Sequence, residues 1–326
     1  MTTEQQKQNP IYSETAYDDA FKTMQNECDD LVIPFVNHMF GENYGKTAKI
    51  RRLADEHHTE DLDGSDLKRI TDSRFEIEFE NVIKSYHMEC ESNKYDGSIL
   101  VRIFEYDALI AKEDAQKSMD YIRLKFPRTG LLLLRASGSA PAKAKIEMEL
   151  PNGQCPSYEM PIIKVSDYSI DEIFDKNLYM LIPFYAFNFE SQFDEMNGSE
   201  EKLETFSEIY SGIFERMKVE LDRGNLSPMS YSVIIKLIYS VAYKLTMKQE
   251  NVQRKVGEIM GGNVLDLPEI RIYKQGKAEG KAEGEITIID LNKWLFSQGR
   301  GNEIERYTEN PDYLKTLLAE YNSARS

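Results

Sequence analysis

Residues 74–92 constrain the fold more than any other stretch of this 326-residue chain. Phe75, Ile77 and Phe79 alternate with Arg74, Glu76, Glu78 and Glu80, the period-two pattern of a strand with one buried face. A polar interruption from Asn81 to Ser85 permits a turn, and a second run, Tyr86 to Ser92, can return antiparallel to the first. Residues two apart in a strand share a face. His87, Glu89 and Glu91 therefore lie on one side, and Met88 and Cys90 on the other. Asp72 sits at the open end of the first strand, where the hairpin can bring it beside Glu89. An Asp and a Glu converging on one face offer hard oxygen ligands, which suit Mg²⁺ better than zinc. The same Glu-x-Glu pattern also describes a solvated sheet face.

A turn at Tyr95-Asp96-Gly97 follows the hairpin. Ser98 can then cap a helix running to about Lys112, with Leu100, Ile103, Tyr106 and Ile110 as its buried stripe. Arg102 stands one position off that stripe. It can lean towards the carboxylates, or equally pair with Glu105 or Glu76.

Taken in order, these residues resemble the PD-(D/E)XK nuclease superfamily, and more narrowly the recombination-promoting nuclease group, also called PD-(D/E)XK family transposases. The chain carries a D-x-x-F-K start (Asp18, Phe21, Lys22) and a D-S-x-F-E strand (Asp72, Ser73, Phe75, Glu76). Y-H-x-E-C (Tyr86, His87, Glu89, Cys90) with Ser92 comes next, then R-x-x-E-Y-D (Arg102, Glu105, Tyr106, Asp107). A G-K-A-E-G repeat spans Gly276 to Gly284. The resemblance implies an α+β (mixed α/β) fold: a restriction-endonuclease-like core with a central mixed sheet flanked by helices, followed by a helical C-terminal region. It implies a Mg²⁺-dependent DNA endonuclease, with Mn²⁺ as an alternative ion, in recombination, mobile-element or phage-defence biology. Asp72 and Glu89 would hold the metal with the Cys90 carbonyl, and Glu91 would orient or deprotonate the attacking water. Lys22, Lys94 and Arg102 are the candidate phosphate contacts, with Asp18, Tyr106 and Asp107 in support. One position departs from the pattern. The superfamily usually has Lys, and this group commonly Gln, where this chain has Glu91. Lys94 and Arg102 are the candidates to replace that cation. The alternative expectation is a catalytically degenerate nuclease fold that acts as a protein-interaction module.

Charge opposes avid nucleic-acid binding. The chain has 40 basic and 56 acidic residues, a net charge of −16, whereas affinity for phosphates comes from Lys and Arg displacing counterions. Lys22, Lys46, Lys49, Arg51, Arg52, Lys68, Arg69, Lys94, Arg102, Lys112 and Arg123 nevertheless gather in the N-terminal region, so DNA binding is expected to be weak and salt-sensitive. No apolar run approaches the ~18 residues of a membrane helix, and MTTEQQKQNP has no basic-then-apolar signal pattern. Cys28, Cys90 and Cys155 lack metal-ligand spacing and read as reduced thiols of a cytoplasmic protein.

The expected organisation is a disordered stretch at 1–12 and a nuclease-like core at 13–166. A mostly helical extension follows at 167–273, then a Gly-Lys-Ala-Glu repeat at 274–285 as hinge or helix, and a small helical region at 286–326. Within the core, a helix from Ser13 should break or restart at Pro34 and stop at Gly41. Thr47 to Leu53 reads as an edge strand, and the acidic segment Asp55 to Asp66 as an exposed loop that includes His57-His58. Tyr121 to Phe126, Leu131 to Arg135, the alternating run ending at Leu150, and Tyr158 to Val165 read as strands. In the extension, the aromatic segment Tyr179 to Phe189 reads as packing rather than as a platform for bases. So small a C-terminal helical pair can hardly bury itself alone and is expected to dock on the body or to pair with a second chain; the resemblance implies self-association, hence a homodimer.

Overall fold

The computed structural model describes residues 16–53, 56–60, 66–70, 73–135 and 140–264, and beyond these only positions 294, 298, 300, 313, 317, 320 and 321. For 56–60, 66–70 and 260–264 the description is limited to the backbone. The chain divides into two compact units, 1–264 and 265–326. The expected frayed stretch at 1–12, the glycine repeat at 274–285 and most of 286–326 lie outside the described residues, as does Asp72.

Among the described residues the first unit begins with two helices, α1 (Ala16–Glu27) and α2 (Asp29–Phe40). The break between them falls at Cys28, whose backbone leaves the helical region (φ −130°, ψ 77°), and not at Pro34, which sits inside α2. The proline is tolerated because α2 buries Leu31, Val32, Phe35, Val36 and Met39, and that packing outweighs one missing backbone donor. Gly41 ends α2 in the left-handed region at φ 65°, as its position in the sequence suggests.

Strand β1 (Lys49–Arg52) pairs antiparallel with β4 (Ser73–Phe79), Lys49 facing Glu78 and Arg52 facing Phe75. Between them, β2 (Glu56–Glu60) and β3 (Asp66–Ile70) form a separate antiparallel hairpin, so half of the acidic segment read as loop is strand. Charged side chains there hide the backbone's extended preference from composition. Strand β5 (Val82–Glu91) returns along β4. Its turn is tighter than Asn81 to Ser85 suggested: Phe79 pairs with Val82, and Glu80 and Asn81 both have positive φ, 51° and 64°. A two-residue loop with that twist matches the twist of the flanking strands.

Helix α3 (Ile99–Glu113) then crosses the sheet, burying Ile99, Ile103, Tyr106, Asp107, Ile110 and Ala111. Ser98 makes no side-chain cap; the Asp96 carboxylate instead accepts from the Ser98 N–H at 2.9 Å. Tyr121 to Phe126 is not a sheet strand. Only Ile122–Arg123 (β7) is extended, paired with Gln116–Lys117 (β6) in a small ribbon of its own. Strand β8 (Arg128–Leu133) runs parallel to β5, β10 (Ser157–Lys164) runs parallel to β8, and β9 (Lys143–Glu147) closes the far edge antiparallel to β10. The six-stranded mixed sheet has the order β1-β4-β5-β8-β10-β9. Strand β5 is thus interior, and both of its faces are covered.

Gly130 on β8 lets α2 seat closely. A Cβ there would land on Met39 Sδ and lie 2.9 Å from Phe40 Cζ. Gly130→Ala is expected to cost about 1–3 kcal/mol in urea denaturation, as overpacking does. The cost should shrink in a Met39→Ala background, since the two positions share one space; equal costs in both backgrounds would show that the contact is not the cause.

The rest of the first unit, among the described residues, is mostly helical. Ser169 caps α4 (Ile170–Asp175) through a reciprocal bond with Glu172. A 3₁₀ segment, Tyr179–Gln192, follows, then α5 (Phe193–Asn197), α6 (Glu200–Asp222), α7 (Pro228–Leu245) and α8 (Glu250–Val264). The aromatic segment is packing: Tyr179, Phe184 and Phe187 are buried. Ser227 caps α7 with Pro228 in its first turn. The architecture is therefore α+β, with a mixed central sheet flanked by helices and a helical C-terminal part. Among the described residues, no helix is long and apolar enough to cross a membrane.

Candidate functional site

His87, Glu89 and Glu91 share one face of β5, and α3 lies over that face. His87 is fully buried and Glu89 is 1% exposed, so this is not a solvated sheet face. Burying a carboxylate is costly unless it is paired and hydrogen-bonded. Each buried polar group here has partners. His87 Nδ1 donates to Asp107 Oδ1 at 2.8 Å, and His87 Nε2 donates to Glu89 Oε1 at 2.9 Å. Asp107 also accepts from Thr129 Oγ1 at 2.6 Å and from the Tyr158 hydroxyl at 2.9 Å. Arg102 Nη2 reaches Glu89 Oε2 at 3.3 Å and Glu91 Oε2 at 3.7 Å. The edge of the Tyr106 ring meets His87, with centroids 6.0 Å apart.

Donation from both ring nitrogens requires an imidazolium. Burial opposes that charge, but the hydrogen bonds and charges of Asp107 and Glu89 prevail and push His87 up to about 9. A cation thus lies between two anions, and the row Asp107–His87–Glu89–Arg102 alternates in sign.

Towards the end of β5, α1 joins the cluster. Burial raises the pKa of Asp18; Lys22 lowers it, Glu91 raises it further and Arg102 lowers it. Lys22, Glu91 and Arg102 therefore each lie within electrostatic reach of Asp18. Glu91 Oε1 also accepts from the Asn93 N–H at 2.7 Å.

The structure thus brings together Asp18, Lys22, Glu89, Glu91, Arg102, Tyr106 and Asp107. Lys94 is exposed in the connection between β5 and α3. The Cys90 side chain is buried on the opposite face from Glu89. Asp72 lies outside the described residues, but its neighbour Ser73 pairs with Met88, the neighbour of Glu89. Three members of the site were not marked by sequence reasoning: His87 as a linker of carboxylates, and Thr129 and Tyr158 as donors. His87 had a signal, since it shares the face of Glu89. Thr129 and Tyr158 had none, being brought in by parallel pairing at β8 and β10.

Oxygen donors suit a hard divalent ion. Among the described residues, however, no group of three His, Cys, Asp or Glu side chains is placed to hold a metal. Comparison with known proteins adds no relative: no family model, no curated protein and no solved structure matches the chain.

Proposed function

We propose that the chain is a metal-dependent endonuclease of the PD-(D/E)XK type, similar to the recombination-promoting nucleases, hydrolysing phosphodiester bonds in DNA. The observation that carries this reading is the meeting of Asp18, Glu89, Glu91, Lys22 and Arg102 at one end of an interior strand, next to a residue that follows Asp72. In this reading Asp72 and Glu89, with the Cys90 carbonyl, hold Mg²⁺ or Mn²⁺. The described donors do not complete a shell alone, so Asp72 is required. When bound, the ion would acidify a water and offset charge on the phosphorus oxygens. His87, locked by Asp107, fixes the rotamer of Glu89. Glu91 orients or deprotonates the water, and Lys22, Lys94 and Arg102 meet phosphate oxygens. Arg102 makes the longer contact to Glu89 and is the group that moves to the substrate. Recombination, mobile-element or phage-defence work in the cytoplasm, by a dimer formed through the C-terminal region, completes the reading.

The test is calorimetric titration with Mn²⁺ and nicking of supercoiled plasmid. Asp72→Asn and Glu89→Gln should each lower nicking by ~100-fold or more, as expected when a group acting on the developing charge is removed, and should abolish metal binding while leaving the circular dichroism spectrum intact. A second reading has its own observation. Both oxygens of Glu89 are already satisfied by His87 and Arg102, and Glu91 stands where relatives of the suggested family carry Lys or Gln. That state suits a nuclease fold turned interaction module. Wild-type protein that neither binds Mn²⁺ nor nicks DNA would decide for it.

A further inference from the structure

The ribbon formed by β6 and β7 has no place in the site. Residues 116–125 are all exposed. Gln116 pairs with Arg123 and Lys117 with Ile122, and the Ser118 N–H donates to the Tyr121 carbonyl at 2.9 Å, leaving Met119 and Asp120 at the tip. An isolated two-stranded ribbon is marginal in water, and this one buries none of its side chains to compensate. It nevertheless carries Met119, Tyr121, Ile122 and Leu124, each among the exposed large hydrophobics, with Tyr121 and Ile122 both at 55%. Interleaved with them are Lys117, Arg123 and Lys125 against the single carboxylate of Asp120. That carboxylate is occupied, accepting from Ser118 Oγ at 3.1 Å. In a chain of net charge −16, this is a projecting arm of the opposite sign.

We infer that the 116–125 ribbon is a duplex-DNA contact, its cations on backbone phosphates and its apolar side chains against the groove. The sign of its charge suits a polyanion, and a duplex, with a charge every ~1.7 Å of axis, is denser in negative charge than the surface of a second acidic chain. Its shape points the same way. The major groove of B-form DNA is about 12 Å wide and admits a two-stranded ribbon, whereas the major groove of an RNA duplex is too narrow to enter. Its base is anchored to the core: Phe126, one residue past it, stacks on Phe104 of α3 at 6.4 Å and meets Tyr158 at 5.8 Å. The arm is thus fixed to the helix that carries Arg102. The inference rests on the nucleic-acid reading above but requires no metal and no cleavage.

The experiment is fluorescence anisotropy of a short labelled DNA duplex with the full chain in EDTA, over a range of salt. Lys117→Glu/Arg123→Glu/Lys125→Glu should weaken binding at least tenfold. It should also flatten the slope of log affinity against log salt by about 2–3, as the loss of three phosphate contacts requires. Met119→Ser/Tyr121→Ser should weaken binding with the slope kept, and Lys218→Glu, an exposed change of the same sign on α6, should bind as wild type does. These positions are exposed, so folding is checked by an unchanged dichroism spectrum. Wild-type affinity and slope in the triple variant would overturn the ribbon contact while leaving the nuclease reading standing. A wild-type chain that binds no duplex in EDTA would also overturn the ribbon contact, and the nuclease reading would still be decided by Mn²⁺ titration and plasmid nicking. A variant that loses self-association in light scattering with its DNA affinity unchanged would assign the ribbon to a second copy of the chain, and would also overturn the proposal.

Discussion

Asp107→Ala should destabilise the first unit by roughly 3–5 kcal/mol, the range for breaking a buried ion pair from one side. Asp107 has no exposed surface and accepts three hydrogen bonds, from His87, Thr129 and Tyr158. Its removal leaves an imidazolium with one counterion and two hydroxyls without an acceptor. Each such orphan costs the desolvation of the group, not merely the lost bond. Asp107→Asn keeps the volume and one acceptor oxygen but directs an amide N–H at groups that donate, so an intermediate loss is expected. Urea denaturation followed by far-ultraviolet circular dichroism measures both, because the single Trp294 lies in the other unit. A loss below ~1 kcal/mol for Asp107→Ala, the worth of an ordinary net hydrogen bond, would mean that the row of alternating charges does not hold α3 to the sheet.

Alkaline pH should loosen the same contact. His87 is raised from 6.5 to about 9, so the folded state holds its proton more tightly than the unfolded state does. A raised basic group contributes its full stability below the unfolded value and loses it as pH climbs through the folded one. The window is therefore pH 6.5 to 9, with stability falling across it, by roughly 3 kcal/mol at most at 1.36 kcal/mol per unit. Denaturation midpoints at both ends of the window should differ in wild type and converge in His87→Gln. Equal slopes in the two proteins would sink the assignment. The raised thiol of Cys28, at about 11, is lifted by burial and lies above this window.

Much of the frame was readable from local chemistry. The alternation at Phe75, Ile77 and Phe79, the αL stop at Gly41, the caps at Ser169 and Ser227, and the antiparallel return at Tyr158 each follow from a side chain's own preference or its immediate neighbours. What could not be read depends on partners far along the chain. Glu-x-Glu on β5 has the same pattern whether water or α3 lies above it; only the arrival of Asp107 and Arg102 makes it a buried charge network. The break at Cys28 rather than Pro34 is likewise decided by burial, because the apolar face of α2 outweighs a proline's missing donor. At Glu80-Asn81 composition misled: a glutamate is a poor cue for positive φ, and the ladder from Phe79 to Val82 forces it there. Tyr121 to Phe126 reads as a longer strand than the extended pair Ile122–Arg123, because its exposed apolar residues look like core.

The order of β5, β8 and β10 sets a schedule for a nascent chain. The β4–β5 hairpin can close as soon as Glu91 leaves the ribosome, yet its parallel neighbour does not begin until Arg128, and Tyr158 follows later still. At about 5–20 residues per second, the strand that carries Glu89 and His87 waits seconds for the neighbour that will cover its edge. Their charges keep that unfinished edge soluble while it waits, and the same charges are later sealed inside.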